Sequence, residues 1–288
     1  MLTARLDSKL DELLGLLSSL RPVLVAFSAG VDSTVLAAAA FRACGSDASA
    51  LLSVSPSVPA GTEQEARRLA TLIGIDLRIV HTREFDRADY VANQHDRCFY
   101  CKDTLYSAMN SLLAELNGGD MTLVNGANLD DQSDHRPGMR AAVDHGVRSP
   151  FIETGFTKQD IRDVARTWQL PVWDKPASPC LSSRIAYGIE VTAERVKRVD
   201  DAENFLRSLL EIRELRVRLT AENTARIELP NDAIARSMSD QYRETISRTL
   251  KELGFQFVTI DLAGFRSGSL NAVIPLSDLE NAAFRSQG

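Results

Sequence analysis

A chain of 288 residues with 44% hydrophobic side chains can bury a full core, and ordinary domain sizes favour two domains over one. The formal charge of −6 at pH 7 sets the whole-molecule field against polyanions, so no nucleic-acid partner is expected and any phosphate must meet a local cluster of arginines. No apolar stretch approaches the roughly 20 residues of a membrane span, and the N-terminus carries no basic, apolar, small-residue signal, so no membrane partner and a cytoplasmic location are expected.

Residues 5–20 place Leu10, Leu13, Leu14, Leu17 and Leu20 at helical spacing, which predicts an opening amphipathic helix. Residues 23–27 are a short apolar run that ends in the small-residue turn Ser28-Ala29-Gly30, and residues 34–43 follow as an Ala-rich helix. The strand signal returns at 51–54, 77–80 and 122–125, with helices expected at 62–74 and 104–116. This alternation predicts an α/β fold, a doubly wound parallel sheet wrapped by helices. Thr157 reads as a helix N-cap with Asp160 three residues on, close to a capping box. Pro171, Pro176, Pro179 and Gly188 then punctuate a long connection, and loops of that length are usually functional or linkers. A domain boundary is placed near residue 190, giving domains 1–190 and 191–288. Beyond it a helix at 193–210, a hairpin of 214–220 and 224–229, a helix at 240–254 and a strand at 256–262 predict a smaller C-terminal α+β domain for substrate binding or oligomerisation. A homo-oligomer is expected.

The segment Ser28-Ala29-Gly30-Val31-Asp32-Ser33 lies at the carboxyl end of a strand and the amino end of a helix, where open α/β sheets place ligands. Gly30 is expected to make the tight turn, the free N–H groups from Val31 onward to face an anion, and Ser28 and Ser33 to add hydroxyl donors. The loop has neither the Gly-Lys-Ser/Thr ending of a P-loop nor the three-glycine spacing of a dinucleotide fold. An ordinary strand-to-helix turn with a serine N-cap accounts for Ser28 or Ser33, but not for both together with Asp32. The segment resembles the pyrophosphate loop of the PP-loop ATP pyrophosphatases, usually Ser-Gly-Gly-x-Asp-Ser, with Ala29 at the first glycine. That resemblance implies ATP cleavage to AMP and pyrophosphate, with Asp32 holding Mg²⁺, a cation that prefers hard oxygen ligands.

Four cysteines, two of them as Cys98-x-x-Cys101, are too few and too clustered for a disulfide framework. Cys98 and Cys101 have the spacing used for zinc and iron–sulfur ligands, and Cys180 comes from the Pro-rich connection. His81, His95, His135 and His145 are scattered, so three thiols leave one position of a metal site open. A zinc clip or a reversible disulfide is the blander alternative for Cys98 and Cys101. Cys44, on the Ala-rich helix, reads as a small buried hydrophobe.

In the C-terminal hairpin Arg216 and Arg218 share one strand face while Val217 and Leu219 take the other. A turn centred near Glu222 opposes Arg218 to Arg226 and Arg216 to Glu228, which gathers three guanidinium groups and one carboxylate. Opposed arginines are unfavourable unless an anion lies between them, so a substrate phosphate is expected there; a solvated face with one cross-strand ion pair is the simpler alternative. Arg266, flanked by Gly and Ser, is a further candidate for that phosphate. Asn128, Asp130 and Asp131 follow a strand at the same sheet edge, either to hold Mg²⁺ and the nucleotide loop or to close the strand as an Asx turn. Trp173 and Phe99 read as core or wall residues.

Several segments together resemble the LarE family of sulfur transferases: residues 28–33, Cys98-Phe99-Tyr100-Cys101-Lys102, Gly126-Ala127-Asn128-Leu129-Asp130-Asp131, Arg136-Pro137-Gly138, Pro179-Cys180-Leu181-Ser182-Ser183-Arg184-Ile185-Ala186-Tyr187-Gly188, Arg216-Val217-Arg218, Ala225-Arg226-Ile227-Glu228 and Gly264-Phe265-Arg266-Ser267-Gly268-Ser269-Leu270-Asn271. The resemblance spans nearly the whole chain. It implies that ATP adenylates a carboxylate of pyridinium-3,5-biscarboxylic acid mononucleotide, that pyrophosphate leaves, and that sulfur displaces AMP to give a thiocarboxylate of the nickel-pincer nucleotide pathway. It further implies an ATP and pyrophosphate site at Ser28, Gly30, Val31, Asp32, Ser33, Asn128 and Asp131, and substrate-phosphate ligands at Arg184, Arg216, Arg218 and Arg266. Arg136 and Arg184 enter as ligands to phosphate or the transition state through the resemblance alone. Single-cysteine members give up the sulfur of the cysteine matching Cys180; members with three hold a 4Fe–4S cluster that carries sulfide. With all three positions present, the cluster mechanism is favoured here, with Cys180 as ligand, and a separate sulfide donor is implied. A tRNA thiolase, an amide-forming ligase and a non-enzymatic nucleotide-binding redox sensor are the alternatives. Acidic charge and the lack of a basic RNA module count against the first, the lack of a glutaminase domain against the second, and pyrophosphate release would exclude the third.

Overall fold

The computed structural model describes residues 4–115, 121–133, 137–176 and 179–266. His135 and Arg136, and residues 267–271 of the last resemblance segment, lie outside the described residues. In chain order the elements are α1 (Ala4–Ser19), β1 (Val23–Ala26), α2 (Val31–Cys44), β2 (Ala48–Val54), α3 (Thr62–Ile73), β3 (Asp76–His81), α4 (Ala88–Val91), α5 (Arg97–Glu115), β4 (Thr122–Val124), α6 (Pro137–Asp144), α7 (Pro150–Glu153), α8 (Lys158–Thr167), α9 (Ala193–Leu210), β5 (Arg216–Thr220), β6 (Thr224–Glu228), α10 (Asn231–Ser237), α11 (Asp240–Glu252) and β7 (Phe257–Ile260). Among the described residues, no helix is long and apolar enough to cross a membrane.

The described residues divide into two compact units: those within 1–55, 60–84 and 98–178 form the first, and those within 56–59, 85–97 and 179–266 the second. This differs from a single boundary near residue 190, because the loop around Cys180 takes its hydrogen bonds from residues 90–97, 57 and 218 and so groups with the later module.

In the first unit four parallel strands lie in the order β3-β2-β1-β4, the α/β architecture read from the alternation. β1 is apolar at every position because both of its faces are covered, the pattern of a central parallel strand. Val23 and Val25 point into a core built with α1, α2, α3 and α8, whereas Leu24 points into a second core built with α5 and α6. Helices therefore cover both faces. The run Ala37–Ala40 of α2 is fully buried, and side chains that small let the helix lie close against the strands. Cys44 at its end is buried and donates to the Leu17 carbonyl at 3.3 Å, as its reading as a small hydrophobe requires. Thr157 and Asp160 complete a reciprocal capping box at the start of α8, and Lys9 of α1 pairs with Asp160 at 2.7 Å.

In the second unit β5 and β6 pair antiparallel, and β7 adds to β6 in parallel. Val217, Leu219, Ala225 and Ile227 are buried together with the apolar side of α9, through Val196, Val199, Leu206 and Leu210. The turn does centre on Glu222, which with Asn223 is left-handed (φ 56° and 51°), so Arg216 faces Glu228 and Arg218 faces Arg226.

Candidate active site

β2 and β3 extend the sheet on one side of β1, and β4 lies on the other. The chain leaving β1 and the chain leaving β4 therefore diverge at their carboxyl ends. This is the switch point at which an open α/β sheet forms its ligand crevice. Residues 27–33 leave β1 there and residues 125–131 leave β4.

The first of these loops is held by its own serines. The Ser33 hydroxyl accepts from the Ser28 N–H at 3.1 Å, sits 3.1 Å from the Ser28 hydroxyl and donates to the Gly30 carbonyl at 3.2 Å. α2 then starts at Val31, and no side chain caps its first turn, so its N–H groups and positive dipole end are free to meet an anion. The tight turn expected of Gly30 is made instead by Ala29, which is buried and left-handed at φ 56°, whereas Gly30 is extended at φ −84°. An L-residue there costs about 1–2 kcal/mol, which is why glycine is usual at this position in the loops it resembles. Gly30 has another reason to be small: a Cβ there would lie 3.3 Å from the Ser28 hydroxyl.

The second loop comes close to the first. A Cβ on Gly126 would lie 3.1 Å from the Ser33 nitrogen and 3.2 Å from the Asp32 carbonyl carbon. Asn128 Oδ1 accepts from the Asp130 N–H at 3.1 Å, and Asp131 Oδ2 accepts from the Asn128 N–H at 3.1 Å. These side chains close their own turn, as in the Asx alternative. Asp130 also accepts from the backbone N–H of Lys158 at 2.5 Å, and the Lys158 ammonium pairs with Asp32 Oδ2. The other oxygen, Asp32 Oδ1, is buried without a hydrogen-bond partner among the described residues. Burial pushes the Asp32 carboxyl above its ordinary value, and Lys158 pulls it back only in part, with Asp131 pushing the same way as burial. A hard cation at Oδ1 would satisfy that atom, so Asp32 fits a Mg²⁺ ligand.

Cys98 and Cys101 lie in the first turn of α5, which starts at Arg97 and not at 104; three residues apart, they share one side of the helix. Both are half-buried and free of disulfides, as is Cys180. Within neither unit do three or more His, Cys, Asp or Glu side chains of the described residues converge. A thiol is a soft donor of the kind that iron–sulfur ligation uses, and each unit offers at least one that is partly accessible.

Cys180, in the second unit, precedes a short turn at Leu181–Arg184. The surrounding backbone is fixed from several sides. Asn93, fully buried and left-handed at φ 53°, donates to the Ala186 and Ile189 carbonyls at 2.9 and 2.7 Å. Arg97 donates to the Ser182 carbonyl at 2.9 Å, and the Tyr90 and Ser182 hydroxyls share a 2.7 Å bond. Arg184 donates to the carbonyls of Pro179 and Cys180 at 2.6 and 3.2 Å, and to Glu203 through Nε at 2.9 Å.

The hairpin arginines divide in the same way. Arg218 is buried and forks onto Glu228 at 3.0 and 3.1 Å, with a third bond to the Ser183 carbonyl at 2.7 Å. Arg216, Arg218 and Glu228 of this face are thus buried, while Arg226 is half-exposed. Arg226 reaches Glu228 at 3.5 Å and Asp261 at 3.8 Å. Arg216 is only 4% exposed, stacks on Phe265 at 4.9 Å and has no carboxylate within ion-pair distance among the described residues. Burial, then Arg218 and Arg184, push its guanidinium down to about 10. Of the four arginines read as substrate-phosphate ligands, Arg184 and Arg218 are committed to glutamates, Arg266 is exposed, and Arg216 alone combines burial with an unneutralised charge.

The structure brings Ser28, Gly30, Val31, Asp32, Ser33, Asn128 and Asp131 to one sheet edge. Sequence reasoning passed over Lys158, Asn93, Arg97 and Glu203. Glu203 had a signal: it occupies the stripe Val196, Val199, Leu206, Leu210 of α9, where an acid is out of place unless paired. Trp173 is exposed and covered by the Arg166 guanidinium at 4.3 Å, not a core residue; Phe99 is half-buried against the α5–α6 core.

Fold and site together define an α/β protein with an uncapped strand–turn–helix at the switch point of its parallel sheet. No protein-family model matches the chain. It is 34% identical over 282 residues, 97% of this chain and 100% of the relative, to the pyridinium-3,5-bisthiocarboxylic acid mononucleotide synthase of Lactiplantibacillus plantarum. It is 40% identical over 269 residues, 93% of this chain and 99% of the relative, to an uncharacterized protein of Synechocystis sp., and 26% identical over 247 residues, 86% and 92%, to one of Methanocaldococcus jannaschii. The chain belongs to the LarE family, that of the synthase.

Proposed function

We propose that this chain is an ATP-dependent sulfur transferase that converts a carboxylate of pyridinium-3,5-biscarboxylic acid mononucleotide to a thiocarboxylate, a step of nickel-pincer nucleotide biosynthesis. The observation that carries the reading is the end-to-end similarity to the L. plantarum synthase. A carboxylate oxygen is a poor leaving group; attack of that carboxylate on the α-phosphorus of ATP makes an acyl adenylate and releases pyrophosphate. Sulfide then adds at the activated carbon and AMP departs with the carboxylate's former oxygen. The N–H groups at the start of α2, the Ser28 and Ser33 hydroxyls and Gly30 would receive the pyrophosphate, with Asp32 as the Mg²⁺ ligand. Asn128 and Asp131 would order the adjoining loop. The substrate phosphate would fall to Arg216, the buried guanidinium without an acid, with Arg266 beside it in sequence to Phe265. Arg184 and Arg218 would act one step back, fixing the backbone on either side of Cys180 and at Ser183.

A 4Fe–4S cluster held by Cys98, Cys101 and Cys180 would supply sulfide on the one iron without a thiolate. The many bonds to the carbonyls around Cys180 would keep its thiol in one place through the reaction. The setting would be cytoplasmic, with a small-molecule nucleotide as substrate, a separate sulfide donor and a homo-oligomeric assembly. One anaerobic incubation with ATP, Mg²⁺, sulfide and the biscarboxylic nucleotide tests the reading by product mass. Replacement of oxygen by sulfur, with AMP formed in step, is expected. Unchanged nucleotide under these conditions, or replacement that proceeds without ATP, would overturn it.

A further inference from the structure

Ala29 is the left-handed residue of the loop after β1, fully buried and at φ 56°, so the fold keeps an L-residue in a conformation it disfavours and must hold it there. The bonds among the serines do not do this. They run from the Ser33 hydroxyl to Ser28 and to the Gly30 carbonyl, on either side of Ala29. The donor to the Ala29 carbonyl is the Lys175 ammonium, at 3.0 Å. Lys175 reaches it from a fixed point: its own N–H donates to the Val172 carbonyl at 3.0 Å, and the Arg162 fork of α8 donates to the Trp173 and Lys175 carbonyls at 2.7 and 2.9 Å. Leu170 and Val172 of the same turn are buried in the core that contains Ala29. Glu65, an acid close enough to feel the lysine's charge, is forked onto Arg68 at 2.8 and 2.9 Å and so does not draw the ammonium away.

We infer that Lys175 is a positioning residue for the nucleotide loop: its ammonium pins the Ala29 carbonyl, so that a turn built on alanine keeps the shape glycine would give it. The inference rests on residues 28–33 receiving a triphosphate. A hydrogen bond from a charged donor contributes about as much as the left-handed conformation costs an L-residue, so this single contact is large enough to decide which conformation residue 29 adopts. A trans peptide points its C=O and its N–H in opposite directions. A carbonyl fixed on Lys175 therefore also fixes the direction of the Gly30 N–H, the main-chain donor just ahead of α2. Lys175 acts through the main chain and not on the nucleotide. Without it Ala29 is free to leave its left-handed conformation, and the Gly30 N–H turns with it, out of the group of donors proposed for the pyrophosphate.

The test combines two substitutions and reads Mg·ATP binding by calorimetry. Lys175→Met is expected to bind Mg·ATP about tenfold weaker than wild type, because the competent loop becomes a minor population. In the Ala29→Gly background the same substitution is expected to weaken binding by less than about threefold, since glycine adopts the left-handed turn without help. Lys175→Arg keeps a charged donor and is expected to fall between wild type and the methionine variant. An equal loss in both backgrounds would overturn the inference, because a lysine that touched the phosphates would be missed whatever stood at residue 29. Unchanged affinity in Lys175→Met would overturn it too. Thermal melting confirms that the variants fold. Should the wild-type chain bind no ATP, the triphosphate reading fails by itself, and denaturant midpoints of the same proteins then test the clamp: a smaller loss from Lys175→Met in the Ala29→Gly background supports it, and additive effects overturn it.

Discussion

Glu203→Ala is expected to lower the unfolding free energy by about 3–5 kcal/mol, the usual cost of removing one partner from a buried ion pair. Glu203 is fully buried and accepts from Arg184 at 2.9 Å, from Arg207 at 2.6 Å and from the Val217 N–H at 3.1 Å. Arg184 is itself 3% exposed, so the substitution strands a guanidinium away from water. The damage is directional. Arg184 also serves the Pro179 and Cys180 carbonyls, so a loosened Arg184 loosens the main chain that carries the Cys180 thiol. Denaturant midpoints measured for wild type, Glu203→Ala and Glu203→Gln check this, with the glutamine variant intermediate because its volume and one acceptor oxygen remain while the charge and the second acceptor are lost. A loss under about 1 kcal/mol for the alanine variant would mean that the pair is screened like a surface one.

Asp32→Asn is expected to cut ATP-dependent pyrophosphate release by at least about 100-fold, because in the proposed reaction Asp32 holds the Mg²⁺ that stabilises the developing charge. The fold should barely notice. Asparagine keeps the shape, burial already favours the uncharged carboxyl, and the ion pair lost with Lys158 is part-exposed and worth about 1 kcal/mol or less. The same raised pKa gives a sign for pH. In the wild type Asp32 takes up its proton at a higher pH than an ordinary aspartate, so the proposed Mg²⁺-dependent ATP binding should fade on acidification before ordinary aspartates titrate. Pyrophosphate release assayed beside a thermal melt distinguishes the outcomes, since a large drop in melting temperature would make Asp32 a structural residue.

What the sequence made legible was whatever depends on neighbours along the chain. The parallel sheet followed from alternation of short apolar runs with helical stripes, the capping box from Thr157 and Asp160, and the register of Arg216 with Glu228 from counting back from Glu222. Contacts between distant segments were not legible in that way. Nothing in the spacing of residues 85–97 says that Asn93 and Arg97 hold the loop around Cys180, some 90 residues on. The start of α5 was hidden because Cys98, Phe99, Tyr100 and Cys101 are weak helix formers whose helix is decided by packing. Lys158 was passed over because its partner Asp32 is 126 residues away. Ala29 misled for a physical reason: the residue that turns the loop is the one that lacks glycine's freedom, and the glycine beside it is extended.

The whole account stands on a triphosphate held at residues 28–33 so that its α-phosphorus is the one attacked. The most direct test is to follow ATP by phosphorus resonance in the presence of the purified chain, Mg²⁺ and the biscarboxylic nucleotide. AMP and pyrophosphate in equal amounts are the predicted products. ADP with orthophosphate, or ATP left unconsumed, would contradict it.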